Sequence, residues 1–247
     1  MTDATPRFLT ARWIHLAMLN YEVDPAILQP FVPDGTRLDS WQGRTFASMV
    51  GFQFRRTRLF GIPIPFHMNF DEVNLRFYVR RETPDGVRRG VVFIKEIVPR
   101  AAIAWVARAA YNEQYVAHRM RHFDRLDPQT GGQVVYEWKH GGRWNRLALH
   151  TQGTSYLADG DSEESFISEH HWGYARQRDA TTVEFQVEHP RWKLWRGARP
   201  ELDVDVEALY GPEFCEPLSA APSSSFLAAG SDVTVHRGRA LETVNPD

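Results

Sequence analysis

Cysteine and long apolar runs are scarce in this sequence, and each scarcity excludes a class of protein. The single cysteine, Cys215, rules out an intrachain disulfide and a zinc site built on cysteine thiolates. No run approaches the length of about 18 apolar residues that spans a bilayer, so we expect no membrane-spanning helix. The N-terminal residues lack the basic start, apolar stretch and cleavage site of a secretion signal, and we expect a cytoplasmic protein.

Lysine is also scarce, which limits the chemistry that the chain can perform. Of the 29 basic residues, only Lys95, Lys139 and Lys193 are lysines. Arginine stays protonated and cannot form a Schiff base, so any mechanism that needs a nucleophilic amine must use one of these side chains or the N-terminus. The formal net charge of −2 is too balanced to indicate nucleic acid or an anionic membrane as a partner.

The patterning of apolar residues favours strands over helices. Residues 72–80 alternate between apolar and polar, as in a half-buried strand, and residues 90–98 are apolar on both faces, as in a covered central strand. Residues 103–111 have the spacing of a helix, and Asp24 and Ser162 can each cap a short one. The sequence predicts an α+β fold, predominantly antiparallel β with a few short helices, in a single domain that spans the chain.

His118 and His122 are four residues apart, a spacing that would place both imidazoles on one face of a helix. The neighbouring Arg119 and Arg121 oppose the binding of another cation, and no third ligand stands out. Because zinc sites need three or four protein ligands, we predict no metal. The glycine pairs lack the lysine-serine ending of a nucleotide-binding loop, and we expect no other cofactor.

Seven stretches in a fixed order are more specific than a fold class. They include WIHLAMLNYEVDP at 13–25, DEVNLRFYVR at 71–80, GVVFIKEIVPR at 90–100 and SFISEHHWGY at 165–174. From about residue 8 to residue 239 the chain resembles the YqjF-like family of bacterial proteins, a branch of the acetoacetate decarboxylase-like superfamily. This resemblance implies a β-barrel or β-cone wrapped by further antiparallel strands, with a small pocket inside.

The resemblance also implies residues for this pocket. Decarboxylases of the superfamily use a buried lysine, whose amine forms an iminium with the substrate ketone. Their pocket glutamate corresponds to Glu72 and their arginine to Arg12. The segment that ends in the reactive lysine resembles residues 102–115, which carry Tyr115 at about that position. A phenol cannot form an iminium, so this departure argues against decarboxylase activity.

Glu72, Asn74 and Arg76 share one face of the alternating strand. They either line a polar pocket, in which Arg76 would bind a substrate carboxylate in bidentate fashion, or form a solvated outer face of the sheet. Alternation alone favours the solvated face, and the family resemblance favours the pocket.

Lys95 lies on an apolar strand beside Glu96, which points to the opposite face if the strand is regular. A buried Lys95 would have a lowered pKa and a nucleophilic amine; otherwise it extends to water or pairs with an acid. Glu96 and Arg108 are further candidates for substrate binding. An arginine such as Arg108 more often caps a helix end or pairs with an acid on a neighbouring strand.

His171 is our candidate for a general acid or base near neutral pH. It follows Glu169 and His170, and adjacent histidines on a strand face opposite ways, so only one of the two can serve a given pocket. The alternative is an aromatic clamp, in which Trp172 and its neighbours only pack at the rim of the fold. Both interpretations fit the sequence.

These residues support three functional hypotheses. The leading one is a pocket for a small organic carboxylate or carbonyl compound, in a lyase or isomerase that uses acid–base groups without a Schiff base. The alternatives are a non-catalytic small-molecule-binding protein and a Schiff-base decarboxylase that uses Lys95. We expect a small-molecule ligand as the partner, with no nucleic acid or membrane, and a homo-oligomer is compatible with the sequence.

Overall fold

A computed structural model of the protein describes residues 6–101 and 114–241. The helix predicted over residues 103–111, and with it Arg108, lies outside the described residues. Strands dominate the described chain and pair almost entirely in antiparallel fashion, which confirms the predicted fold class. Within the described ranges, no helix combines the length and the apolar character needed to cross a bilayer.

The strands are β1 (Arg7–Glu22), β2 (Arg37–Leu38), β3 (Phe46–Leu59), β4 (Ile62–Pro63), β5 (Phe70–Thr83), β6 (Gly86–Val98), β7 (Tyr115–Ala117), β8 (Met120–Asp127), β9 (Gly131–His140), β10 (Arg143–Leu157), β11 (Trp172–Arg176), β12 (Thr182–Glu188), β13 (Lys193–Asp203), β14 (Ser224–His236) and β15 (Arg239–Ala240). The helices are α1 (Pro25–Leu28), α2 (Glu163–Ser168), α3 (Val206–Tyr210) and α4 (Cys215–Ser219), with 3-10 turns at Gln29–Phe31 and Pro212–Phe214.

Strands β12, β11, β6, β5, β3, β1 and β14 form a ring in this order. Two short pairings close it. Strand β14 returns to β12 through the pairs Val187–Val235 and Glu188–Thr234, and β11 joins β6 in parallel from Trp172 to Gly173. The result is an irregular ring of strands rather than a regular barrel.

Strands β13, β10, β9 and β8 continue the sheet from β14 and cover the outside of the ring. The outer core lies between the two layers, where Leu75 and Phe77 of β5 pack with Tyr136 of β9 and Leu149 of β10. Ring strands thus bury side chains on their outer face as well as inside. This explains why β6 reads as apolar on both faces.

Strand β5 distributes its side chains between these two environments. Val73 and Leu75 point outward into the outer core, whereas Glu72, Asn74 and Arg76 point into the ring. Glu72 and Asn74 are both buried. The polar face of this strand is therefore interior and not solvated.

Two of the four short helices in the described chain, α1 and α2, begin at the caps that the sequence indicates. The Asp24 carboxylate accepts a hydrogen bond from the Ala26 N–H at 2.8 Å, and the Ser162 hydroxyl accepts one from the Ser165 N–H at 3.2 Å. These bonds satisfy N–H groups that a helix start leaves without a backbone partner. The second cap fixes α2, which carries the buried Phe166 into the core inside the ring.

The segment that contains His118 and His122 is not helical, because His122 belongs to β8 and His118 lies in the two-residue connection between β7 and β8. His122 Nδ1 lies 2.8 Å from Asp71 Oδ1, and this hydrogen-bonded carboxylate raises the pKa of His122. The His118 ring instead packs edge-on against His140 at 4.9 Å. The two imidazoles therefore have different partners, and the described part of the chain holds no cluster of three metal-ligating side chains.

The close contact between β9 and β3 depends on a glycine and gives a test of the two-layer packing. A Cβ on Gly51 would lie 2.5 Å from the ring of Tyr136, which is fully buried. We expect Gly51→Ala to lower the free energy of unfolding by about 1–3 kcal/mol, as overpacking of a core does. Gly160→Ala is the matched control, because a Cβ there meets nothing within 4 Å. Urea denaturation of both variants measures the difference, and equal midpoints would contradict the described packing.

Candidate functional site

A cavity of about 210 Å³ lies inside the ring, with walls that are mostly apolar. It is bounded by β1, β3, β5, β6, β12 and β14, with Tyr115 of β7 and residues near the end of α2. Its apolar lining comprises Phe8, Leu9, Trp13, Leu16, Phe52, Phe54, Leu59, Ile64, Phe70, Val91, Phe93, Trp172, Phe185, Val187, Trp192 and Val235, and its polar lining comprises Thr57, His67, Glu72, Asn74, Arg76, Glu96, Tyr115, Ser168, His170 and His189.

Glu72 is a buried carboxyl group in the wall of this cavity, with only 2% of its surface exposed. Its Oε1 accepts a hydrogen bond from the Asn74 amide at 3.0 Å, and its Oε2 accepts one from the Tyr115 hydroxyl at 3.2 Å. Burial nevertheless raises the pKa of Glu72 to about 7, although these hydrogen bonds and the charge of Arg76 act in the opposite direction. The pKa of this carboxyl group therefore lies near the pH at which a cell operates, well above the ordinary value of a glutamate.

The raised pKa of Glu72 also has a consequence for stability. Its value of about 7 in the folded protein exceeds the ordinary value of 4.5. The native state therefore holds a proton that the unfolded chain has released, and Glu72 makes stability fall as the pH rises across this interval. A buried carboxyl group with a strongly raised pKa that lowers the stability of the fold is a candidate for a functional residue.

The Arg76 side chain also points into the cavity, because Arg76 lies two residues after Asn74 on β5 and so shares its strand face. Among the described residues, no carboxylate oxygen lies within 4.0 Å of its guanidinium. Within the described chain, its Nη2 contacts the Ile167 carbonyl at 3.4 Å and the Met18 sulfur at 3.8 Å, and its buried Nε has no hydrogen-bond partner. A guanidinium without an ion pair beside an apolar cavity can bind an anion.

Glu96 and Tyr115 complete the polar end of the cavity. Strand pairing places Glu96 of β6 opposite both Asn74 of β5 and Tyr115 of β7. The Glu96 side chain is buried at the cavity wall. The Asn74 amide donates to Glu72 through its nitrogen, and its oxygen, Oδ1, is buried without a partner. Glu72, Asn74, Arg76, Glu96 and Tyr115, which the sequence marked as site residues, are therefore brought together.

Lys95 lies on the other face of β6. It pairs with Leu75, which belongs to the outer core, and its ammonium donates a hydrogen bond to the Leu209 carbonyl. Partial burial lowers the pKa of Lys95, but the cavity lining contains none of the three lysines of the chain. The arrangement gives no support to an iminium formed by Lys95 inside the ring.

Besides Lys95, two site residues chosen from the sequence do not line the cavity. Arg12 is exposed on β1, in register with Arg55 and Asp232, because its neighbours Ala11 and Trp13 take the inward-facing positions. The His171 ring packs at a tilt against the His189 ring, with centroids 4.6 Å apart, and does not belong to the cavity lining. Neither side chain therefore contributes to the described cavity lining, and a functional role for either residue stays a prediction.

His170 and His189 line the cavity in place of His171. His170 stacks on Tyr78 at 4.6 Å, and burial, together with the charges of Arg76 and Arg89, holds its pKa well below 6.5. Burial also lowers the pKa of His189. Both imidazoles are consequently neutral at pH 7. The doubled histidine pointed to this region, but alternation could not decide which ring faces inward, because His170 and His171 precede β11 in a non-strand segment.

Comparisons with known proteins agree with this architecture. The model of a family described as an uncharacterized conserved protein, DUF2071, matches residues 10–232. The uncharacterized protein YqjF of Bacillus subtilis is 25% identical over 199 residues, which is 78% of this chain and 77% of that protein.

Two solved structures have a similar fold. An acetoacetate decarboxylase from Legionella pneumophila superposes with a TM-score of 0.65 at 14% identity, over 95% of this chain and 87% of its own. The enduracididine biosynthesis enzyme MppR, in complex with pyruvate, superposes with a TM-score of 0.67 at 16% identity, over 98% and 93% of the two chains. The protein has the acetoacetate decarboxylase-like fold and belongs to the DUF2071 (YqjF-like) family.

Proposed function

We propose that the cavity binds a small organic carboxylate or carbonyl compound and that Glu72 performs acid–base chemistry on it without a Schiff base. The observation that carries this proposal is that two unusual groups line the same cavity. Glu72 is buried and has a pKa of about 7, and Arg76 has no carboxylate oxygen within 4.0 Å among the described residues. A ligand carboxylate would supply the negative partner that the Arg76 guanidinium lacks. A bidentate contact would also fix its orientation.

The size and walls of the cavity favour a ligand with an apolar body. An apolar cavity of about 150 Å³ holds benzene, and this one measures about 210 Å³. It therefore fits an aromatic ring with a short acidic substituent. Trp13, Phe52 and Phe54 contact one another edge-on or tilted in its wall, with ring centroids 5.1 to 5.7 Å apart.

For a carbonyl ligand, Glu72 has the properties of a general base. Its pKa near 7 matches the working pH, which is the condition for efficient proton transfer. The carboxylate would take a proton from the carbon next to the carbonyl, and the Tyr115 hydroxyl or the Arg76 guanidinium would stabilise the enolate oxygen that results. A lyase and an isomerase can share this first step.

Non-catalytic binding is the second candidate function, and one observation favours it. Both oxygens of Glu72 already accept hydrogen bonds, from Asn74 and Tyr115. A carboxylate held in this way can serve as a fixed acceptor for a ligand hydroxyl or amide without any proton transfer. Turnover, rather than affinity, separates the two functions.

The role of Arg76 is tested by its removal. We expect Arg76→Met to weaken benzoate binding by about tenfold to a hundredfold, because a hydrogen bond to a charged group contributes about 1.5–3 kcal/mol. Arg12→Met removes an exposed arginine outside the cavity and should leave benzoate affinity unchanged. Isothermal titration calorimetry measures both, with benzyl alcohol as the neutral comparison. Equal losses in the two variants would contradict a specific role for Arg76.

The ionisation of Glu72 should make binding depend on pH. Below its pKa of about 7 the carboxyl group is neutral, and above it the negative charge repels a bound carboxylate. Benzoate affinity should therefore be flat in mildly acidic buffer and fall by up to about tenfold per pH unit above neutrality, the limit for one coupled proton. In Glu72→Gln this decline should vanish, as fluorescence titration across the range would reveal. A decline that persists in the variant would assign it to another group.

Proton abstraction by Glu72 has a direct readout that binding lacks. In deuterated buffer, wild-type protein should accelerate the exchange of the methylene protons of phenylpyruvate, followed by proton NMR. We expect Glu72→Gln to reduce the rate by at least about a hundredfold, within the range for loss of a general base, while it still binds benzoate. Exchange at the buffer rate by wild-type protein that binds phenylpyruvate would leave non-catalytic binding as the function.

A further inference from the structure

The connection between β3 and β5 presents a cluster of exposed apolar side chains. We call residues 59–69 the apolar loop. Phe60, Ile62, Phe66 and Met68 expose 65%, 68%, 86% and 39% of their surface. They account for four of the seven large apolar residues that are exposed in the described chain. Scattered apolar residues need no explanation, but a contiguous group of them marks an interaction site.

The loop holds these side chains outward with a defined backbone. Phe60 and Phe66 have φ angles of 49° and 66°, a left-handed conformation that bulky residues rarely adopt. Backbone hydrogen bonds fix both ends of the loop: the Phe60 N–H donates to the Phe8 carbonyl at 2.9 Å, and the Thr57 N–H donates to the Met68 carbonyl at 2.9 Å. The backbone of the loop is therefore ordered, and it holds the exposed rings in a fixed orientation.

Positive charge surrounds this apolar tip. Residues 55–70 contain three arginines and no acidic residue, although the chain as a whole carries a net charge of −2. Arg56 and Arg58 are exposed at the base of the loop, and the exposed Arg12 lies on the adjacent strand β1, next to Arg55 in the register. The one acid that contacts this group in the described chain is Asp232, 3.4 Å from Arg56.

We propose that the apolar loop docks on the surface of an anionic phospholipid bilayer. Aromatic and aliphatic side chains insert at the boundary between headgroups and acyl chains, and nearby arginines bind the lipid phosphates. A second copy of the chain is a poorer occupant, since a two-fold contact between apolar loops would bring Arg56 and Arg58 of both copies together. We expected no membrane partner because the net charge of the whole chain is balanced. A net charge does not report how the charges are distributed, and the arginines are concentrated at this loop.

The same loop also forms part of the cavity wall. Leu59, Ile64 and His67 line the cavity, whereas Phe60 and Phe66 point to solvent. A docked loop would therefore place the cavity beside the bilayer, where an amphiphilic carboxylate could enter it. This consequence rests on the proposed function, but the docking itself does not.

Vesicle co-sedimentation tests the docking. Wild-type full-length protein should bind vesicles of phosphatidylglycerol and phosphatidylcholine in low salt, and the double variant F60S/F66S should bind at least about tenfold more weakly. The matched control is F123S/L157S, which removes two comparably exposed apolar residues from β8 and β10 and should bind like wild type. R56Q/R58Q should lose the preference for phosphatidylglycerol over pure phosphatidylcholine. Circular dichroism confirms that each variant is folded.

Two results would overturn the proposal. One is equal vesicle binding by F60S/F66S and F123S/L157S, or none by wild type. The other is a dimer in light scattering that F60S/F66S dissociates, which would make a second copy the occupant. Benzoate affinity, measured on the same variants, should stay at the wild-type value, because neither Phe60 nor Phe66 lines the cavity. A failure of docking is thereby distinguishable from a failure of the proposed function.

Discussion

The burial of strand β5 on both faces is the constraint on which the rest of the site depends. Its outer face packs under β9 and β10, so its alternate residues have only the inside of the ring to occupy. Three of these, Glu72, Asn74 and Arg76, are polar. A buried polar group destabilises a protein unless it is hydrogen-bonded. The carboxyl group of Glu72 is accordingly bonded on both oxygens and still has a raised pKa, whereas Asn74 Oδ1 and Arg76 Nε have no partner in the described protein. A ligand carboxylate with a hydroxyl or amide substituent would satisfy both atoms.

Local pattern predicted much of the fold and part of the site. The alternation of residues 72–80 grouped Glu72, Asn74 and Arg76 on one face, and the opposition of Lys95 and Glu96 followed from the strand period. Neither pattern could say which face is inside, because that depends on ring closure through strands more than seventy residues apart in the chain, as in the pairing of Trp172 with Gly90. Arg12 lies on the face of β1 opposite Ala11 and Trp13, and His171 lies in a non-strand segment to which alternation does not apply. The aromatic wall of the cavity had no sequence signal of its own, since Trp13, Phe52 and Phe54 read as ordinary core.

The fold is shared with an acetoacetate decarboxylase and with an enzyme of enduracididine biosynthesis, at 14% and 16% identity. In the described chain, no lysine lines the cavity, and a tyrosine donates to the glutamate. The cavity lining therefore offers no lysine amine for an iminium, whereas Glu72 and Tyr115 can each donate or accept a proton. Acid–base chemistry and binding are both compatible with this lining, and the apolar loop at the cavity wall indicates where a ligand with an apolar body would arrive.

The central claim, that Arg76 and Glu72 bind a carboxylate inside the ring, is tested most directly by a crystal structure of the protein with benzoate. The account predicts the benzoate carboxylate within hydrogen-bond distance of the Arg76 guanidinium, with its ring against Trp13, Phe52 and Phe54. A saturating soak that leaves the cavity empty, or that places the carboxylate away from Arg76, would contradict it.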